Sequence, residues 1–293
     1  MQKSVTRRKF LKTAGLILGS LALDKNLVAS EKEKKNVVLC FDGNKGVRKW
    51  QWAIDLGNQL SDLNGEAANF SVYGNSCVWF SHLPGGSNIG YGGKQEDIDK
   101  CLEITQRGIN LGHELGSHAV RHLHGDNWNY NQWLDELSEF DEHTKRLLKD
   151  VNGNPYKSVG FRAPYLEWND DMFKALGKLG YKYDISIPTD EVNEKHGVKS
   201  LGCPIWTRPS GRSVLGMDYN WMVAGVSNNE LEKMLESESL KRDPFVIALH
   251  FSDYKKEGES NPYCNVVKDF MIKGAKEGRF VFPSMIEYLQ SKK

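Results

Sequence analysis

At 293 residues, with 39% hydrophobic and 26% charged side chains, the chain has the composition of a soluble globular protein, which excludes disordered, collagen-like and coiled-coil classes. Its 39 basic and 38 acidic residues leave a net charge of +1, so there is no electrostatic case for nucleic acid as a partner. Five cysteines (Cys40, Cys77, Cys101, Cys203 and Cys264) cannot all pair internally and contain no CxxC spacing of the zinc-ribbon kind; Cys203 with Cys264 is one candidate pair for an oxidising compartment.

The charge is unevenly distributed. Residues 1–30 hold six basic groups and one acid, leaving 33 basic against 37 acidic groups in residues 31–293. The order is that of an export leader: a basic start, the apolar run from Ala14 to Leu23, then the small residues Val28, Ala29 and Ser30. Ten apolar residues are too few to span a bilayer. Thr6-Arg7-Arg8-Lys9-Phe10-Leu11-Lys12 resembles the twin-arginine signal, which carries folded proteins across a bacterial inner membrane. The expectation is therefore an export signal over 1–30 and one mature domain over 31–293. That domain is expected in the periplasm or cell envelope, with no stable membrane span after export.

From residue 36 short apolar runs alternate with longer helical stretches, without repeats. Asn36 to Phe41 reads as a buried strand. Val47 to Leu63 reads as a helix, with Val47, Trp50, Ile54, Leu56 and Leu60 near helical spacing. Ala68 to Tyr73 and Val78 to Phe80 read as strands. Leu83 to Gly93, with five glycines and one proline, reads as a loop inserted over one face. Helices follow at Gln95 to Gln106, Asn131 to Leu148 and Asp170 to Leu179, the last stopped by Gly180. Val159 to Arg162, Tyr181 to Ile187, Phe245 to Phe251 and Phe280 to Phe282 read as strands, before a short terminal helix. Alternating strands and helices imply parallel pairing, hence an α/β barrel or open sheet with its site at the carboxyl ends of the strands. The polar residues there are Asp42, Arg162, Asp184 and His250.

His118 and His122 are four residues apart, a spacing that lets both face one way on a helical turn and offer two imidazole nitrogens to a divalent metal. His113 and His124 flank them and are not counted as ligands. The bland alternatives are a surface histidine pair, a satisfied core histidine at His250, a surface ion pair at Arg162 and a turn cap at Asp184.

Phe41-Asp42-Gly43, the His118–His122 pair, Gly160-Phe161-Arg162-Ala163-Pro164-Tyr165 and Ala248-Leu249-His250 occur in the order and rough spacing of the polysaccharide deacetylases. Over about residues 36–290 the chain resembles this family, the NodB-like carbohydrate esterases. The resemblance implies a distorted (β/α) barrel that binds one divalent metal, often zinc, and removes acetyl groups from polysaccharide. It also implies that His118 and His122 are metal ligands, that His250 is the acid protonating the leaving nitrogen, and that Arg162 orients the base through a bidentate contact. Asp184, or Asp218, would hold the His250 imidazole, and Tyr165 would offer its backbone N–H to the oxyanion. The chemistry needs such a set, because an acetamide is a poor electrophile and its amine a poor leaving group.

The first motif departs from the family. The family carries two adjacent aspartates after the phenylalanine, a base and then a ligand; here Asp42 is followed by Gly43 and Asn44. If the phenylalanines align, Asp42 is the base and the metal has two histidines, with Asn44 or water filling in. If the glycines align, Asp42 is the ligand and the base lies elsewhere, Asp126 being a candidate. Among the aromatic residues, Tyr165, Trp128, Trp168 and Trp221 fall in or just after motif segments and are candidates for stacking on a sugar, whereas Trp50 and Trp133 read as core. The reading is an exported, metal-dependent N-deacetylase of N-acetylglucosamine units in an acetylated envelope polysaccharide, with peptidoglycan leading. Chitin-like glycan, exopolysaccharide or O-acetyl esters are open. The rival is a glycan-binding protein on the same barrel whose catalytic set has decayed. A small cyclic amide as substrate is a third reading.

Overall fold

Strand β1 (Lys35–Asp42) is the centre of a computed structural model that describes residues 33–187, 193–201, 205–207, 227–250 and 262–293. The leader, Cys203, Asp218 and Trp221 lie outside these residues, as does the side chain of His250. Val37, Val38, Leu39, Cys40 and Phe41 are all fully buried, as a parallel strand covered on both faces requires. Beside β1 lie β2 (Ser71–Gly74) and β9 (Phe245–His250), both parallel to it. Beyond β2 come β3 (Glu114–Ser117), β4 (Gly160–Phe161) and β5 (Tyr183–Asp184), all parallel. The path continues through β7 (Val198–Ser200) to β6 (Asn193–Lys195) at one end, and ends at β8 (Ile205–Thr207) beside β9 at the other. A short β10 (Phe280–Val281) pairs with the start of β1.

The described strands do not close into a hydrogen-bonded ring, yet the sheet curls. Tyr183, Ile185 and Leu201 at the β5 end share one buried cluster with Val38 and Cys40 of β1 and Val246 and Ala248 of β9. Helix α7 (Met285–Ser291) supplies Met285 and Tyr288 to that cluster. This is the distorted (β/α) barrel expected. On the outer face, Val37, Leu39 and Phe41 meet α1 (Val47–Asn64), α2 (Gln95–Asn110) and α6 (Pro262–Lys276) in a second cluster, to which α5 (Asn228–Lys241) adds Leu231 and Leu235. A third cluster joins α3 (Tyr130–Leu147) to α4 (Asp170–Leu179). Trp50 and Trp133 are core residues, as read from sequence.

Alternation along β1 sends Val38 and Cys40 inward, and Asp42 continues that parity at the carboxyl end. On β3 the inner positions are Glu114 and Gly116, and His118 follows in step. Glycine is needed at 116, because a Cβ there would come within 2.5 Å of the Tyr73 ring.

Several sequence expectations shift. Val78 to Phe80 is not a strand: Ser76–Trp79 forms a 3-10 turn, because Cys77 N–H is drawn to the Val120 carbonyl at 3.1 Å instead of to a neighbouring strand. The strand expected over Tyr181 to Ile187 is reduced to Tyr183–Asp184, since Asp184 and Ser186 turn their polar groups on each other. The hairpin of β6 and β7, turning at His196 and Gly197 with φ of 52° and 77°, had no alternating apolar pattern to announce it. Helix α4 ends as expected, with Gly180 left-handed at φ 83°.

Candidate active site

Three strand ends and two loops converge at the carboxyl edge of the sheet. Asp42 closes β1 and is only 4% exposed; Arg162 follows β4 and is 1% exposed. Arg162 Nε lies 3.2 Å from Asp42 Oδ1, an ion pair by distance that leaves this buried oxygen without an aligned hydrogen bond. The two motifs thus meet through one close Nε–Oδ1 approach, where the resemblance implies a bidentate contact. It bears on the role of Asp42, since the resemblance gives the base, not the ligand, to the arginine.

His118 is buried just past β3, its N–H continuing the ladder to the Gly74 carbonyl at 2.8 Å. Its Nδ1 lies 2.7 Å from the Arg162 carbonyl. A carbonyl oxygen only accepts, so Nδ1 carries a proton, and Nε2 is the nitrogen that would serve a metal.

The two histidines do not lie on a helical turn. The segment from His118 to His122 is a loop with left-handed residues at Ala119 (φ 61°) and His122 (φ 56°), a path incompatible with a helix. It still brings the imidazoles together, ring centroids 4.9 Å apart and nearly perpendicular. Burial, with the neighbouring His118, pushes the His122 pKa down to about 3, against a smaller upward pull from Asp42. His122 is thus a neutral donor, and its buried Nδ1 has no hydrogen-bond partner.

Two adjacent imidazoles and an incompletely bonded carboxylate oxygen fit a divalent cation, with His118 and His122 as ligands. Among the described residues no three His, Cys, Asp or Glu side chains are grouped to hold one. The groups weighed from sequence are Asn44 as a substitute ligand and Asp126 as an alternative base. Asn44 is buried with its side-chain oxygen accepting the Asn75 N–H at 2.9 Å, tying two loops together. Asp126 is exposed and bonds its neighbour Asn127 N–H at 3.0 Å. Gly43 has φ +80°, and a Cβ built there would stand 3.5 Å from Lys49 Nζ.

Asp184 is fully buried, its carboxylate accepting the hydroxyl and, at 3.1 Å, the N–H of Ser186. The Ser186 hydroxyl oxygen in turn accepts the Ala163 N–H at 2.7 Å. Asp184 therefore braces the segment that carries Arg162 and Tyr165. Burial raises its pKa to about 7, offset in part by Ser186 and by Arg162. Its expected partner His250 is placed by backbone alone, as the Cα partner of Asp42 across β1 and β9.

Tyr165 takes a left-handed backbone (φ 57°) that aims its ring between the histidines: edge-on to His122 at 4.6 Å and stacked on His124 at 3.8 Å. Glu167 fixes His124 through Nδ1 at 2.7 Å, and Asn88 of the glycine-rich loop donates to the Tyr165 hydroxyl at 3.2 Å. That loop borders the site. Trp128 is half-buried, edge-on to Trp133 at 4.8 Å, and Trp168 is half-buried beneath Lys195 at 5.0 Å, so core packing takes part of both rings. Sequence reading missed Ser186, Asn88 and Glu167, since a serine, an asparagine or a glutamate in a turn carries no signal until its partner is known.

A sequence model of the polysaccharide deacetylase family matches residues 29–183, more than half of the chain. The chain belongs to the polysaccharide deacetylase family. No curated protein matches it in sequence. Among solved structures, the chain is similar to a family 4 acetyl xylan esterase of Clostridium thermocellum in complex with a cobalt ion, at 17% identity and a TM-score of 0.51, with 88% of this chain and 92% of that one covered. It is also similar to the peptidoglycan deacetylase PdaC of Bacillus subtilis, in a mutant form, at 11% identity, TM-score 0.50, covering 88% and 92%. A third is a mutant of BA3943 of Bacillus anthracis, a CE4 family pseudoenzyme with restored activity, at 12% identity, TM-score 0.50, covering 87% and 68%. At these identities the likeness is one of fold, and it agrees with the polysaccharide deacetylase barrel described above.

Proposed function

We propose that this polysaccharide deacetylase is an exported, metal-dependent enzyme that removes N-acetyl groups from N-acetylglucosamine units of an envelope polysaccharide, most of all peptidoglycan. The observation that carries the reading is the convergence of a buried Asp42–Arg162 pair with two adjacent imidazoles at one strand edge. A divalent ion, zinc in this reading, held by His118 and His122 would polarise the acetamide carbonyl and make the attacking water more acidic. Asp42, paired with Arg162, takes the proton from that water. Tyr165 offers its N–H to the oxygen that gains charge. His250, opposite Asp42 in register, protonates the nitrogen as the C–N bond breaks, releasing acetate and a free amine. Export rests on the leader, and the cell wall is the first acetylated glycan an exported protein meets.

One observation favours a second reading, a glycan-binding protein that does not turn over. The carboxylate that would complete the metal set is absent at Gly43. Acetate release from acetylated peptidoglycan, chitin oligomers and acetylated exopolysaccharide by residues 31–293, with and without chelator and beside His118→Ala, separates the two. Chelator-sensitive release lost in the variant supports the enzyme and ranks its substrates. No release from folded, metal-supplied protein, with glycan binding retained, leaves the binding protein.

A further inference from the structure

Left-handed residues at both ends of the Ala119–His122 stretch deny its amides to any helix or strand ladder, so something else must take them. One side chain does. Glu136 is 6% exposed on α3, and its Oε1 accepts the backbone N–H of Val120 at 3.0 Å and of Arg121 at 2.7 Å. Its Oε2 accepts from Arg121 Nη1 at 2.6 Å. The same arginine donates Nη2 to both oxygens of Glu139 at 2.6 Å and Nε to the Pro84 carbonyl at 2.8 Å. Its own carbonyl accepts from Asn88 N–H at 3.1 Å and Ser87 Oγ at 3.2 Å.

We propose that Glu136 is a positioning residue that sets the geometry of the His118–His122 pair by capturing the two amides between them. Arg121 then fastens the glycine-rich loop to the same unit. A carboxylate suits the task because one oxygen takes both amides while the other meets the guanidinium, and a buried amide without a partner costs more than an ordinary hydrogen bond contributes. Glu136 touches neither substrate nor metal. Partners one step removed from a metal commonly change its affinity by about 10–100-fold when lost. The proposal rests on reading His118 and His122 as metal ligands, and its test separates the two.

Amide hydrogen exchange at Val120 and Arg121 is followed in metal-free wild type, Glu136→Ala and Glu139→Ala, and cobalt affinity is measured by titration calorimetry in each. Glu139 is the control, since it holds the Arg121 side chain but neither amide. The expected result is loss of protection at both amides and about tenfold or greater loss of cobalt affinity in Glu136→Ala, with Glu139→Ala within about threefold of wild type. Glu136→Gln, whose amide oxygen still accepts, should recover most of both. Where the alanine variant does not fold, Glu136→Met keeps the volume without the acceptor and takes its place. Unchanged protection and affinity in a folded Glu136→Ala or Glu136→Met protein overturn the proposal. Wild type that binds no cobalt overturns the metal reading, while exchange at the two amides still decides whether Glu136 braces the loop.

Discussion

His118 and Arg162 meet through the main chain: imidazole Nδ1–H donates to the arginine carbonyl at 2.7 Å, while the arginine side chain turns to Asp42. One residue thereby serves two functions through different atoms, and substitution separates them.

Replacing Arg162 by Met leaves its carbonyl in place, so His118 keeps its tautomer and cobalt affinity should stay within about threefold. The Asp42 carboxylate loses its buried cation, a change worth about 3–5 kcal/mol. Acetate release should fall by about a hundredfold or more, with a lower melting temperature. Equal losses of metal affinity and turnover would contradict this division.

Removing the imidazoles acts on the other half. His118→Ala and His122→Ala should each abolish chelator-sensitive acetate release and weaken cobalt binding at least tenfold, in line with loss of a ligand from a two-histidine site. Circular dichroism should show the fold intact in His122→Ala, because His122 lies in a loop and its buried Nδ1 has no hydrogen-bond partner, whereas His118→Ala also leaves the Arg162 carbonyl without its imidazole donor. Cobalt affinity equal to wild type in both variants would remove them from the ligand set.

Supplying the missing carboxylate is the converse. Gly43→Asp should raise cobalt affinity about tenfold while lowering stability by about 1 kcal/mol, since a side chain at φ +80° is strained. Lys49 Nζ, 3.5 Å from the position of the new Cβ, is the competing partner. Affinity that rises only when Lys49 is also replaced by Met would show that the lysine captures the new group.

His113, which directly precedes β3, tests the pH dependence of the fold. It stacks on Phe70 at 5.4 Å, and its Nδ1 accepts the Phe70 N–H at 3.2 Å, so the folded ring is neutral; burial lowers its pKa to about 4. The unfolded chain binds a proton below about pH 6.5 that the folded chain refuses until about pH 4. Its stabilising effect is thus full above that window and lost as pH falls through it, by at most about 3 kcal/mol. The melting temperature gap between wild type and His113→Gln should narrow as pH drops from 7 to 4. A gap that stays constant would mean the ring is not held neutral.

Much of the site was legible because its residues follow apolar runs. Phe41-Asp42, Phe161-Arg162 and Leu249-His250 each put a polar group where a buried strand ends, and parity along β1 then sends Asp42 inward. The histidine pair was legible for a different reason than its geometry, since spacing suggested a helix and a loop did the work of bringing the rings together. The brace by Glu136, the clamp of Ser186 on Ala163 and the contact of Asn88 with Tyr165 had no local pattern, because each joins segments whose proximity depends on strand order.

By itself, the sequence determined the alternation of strands and helices, the strand ends that carry Asp42 and Arg162, and the absence of a second aspartate, because hydrophobic periodicity and residue identity are local properties. Only the tertiary structure decided which group faces Asp42. Parallel pairing of β1 through β4 brings Arg162 alongside it across distant stretches of chain, a juxtaposition that no local pattern in either motif specifies.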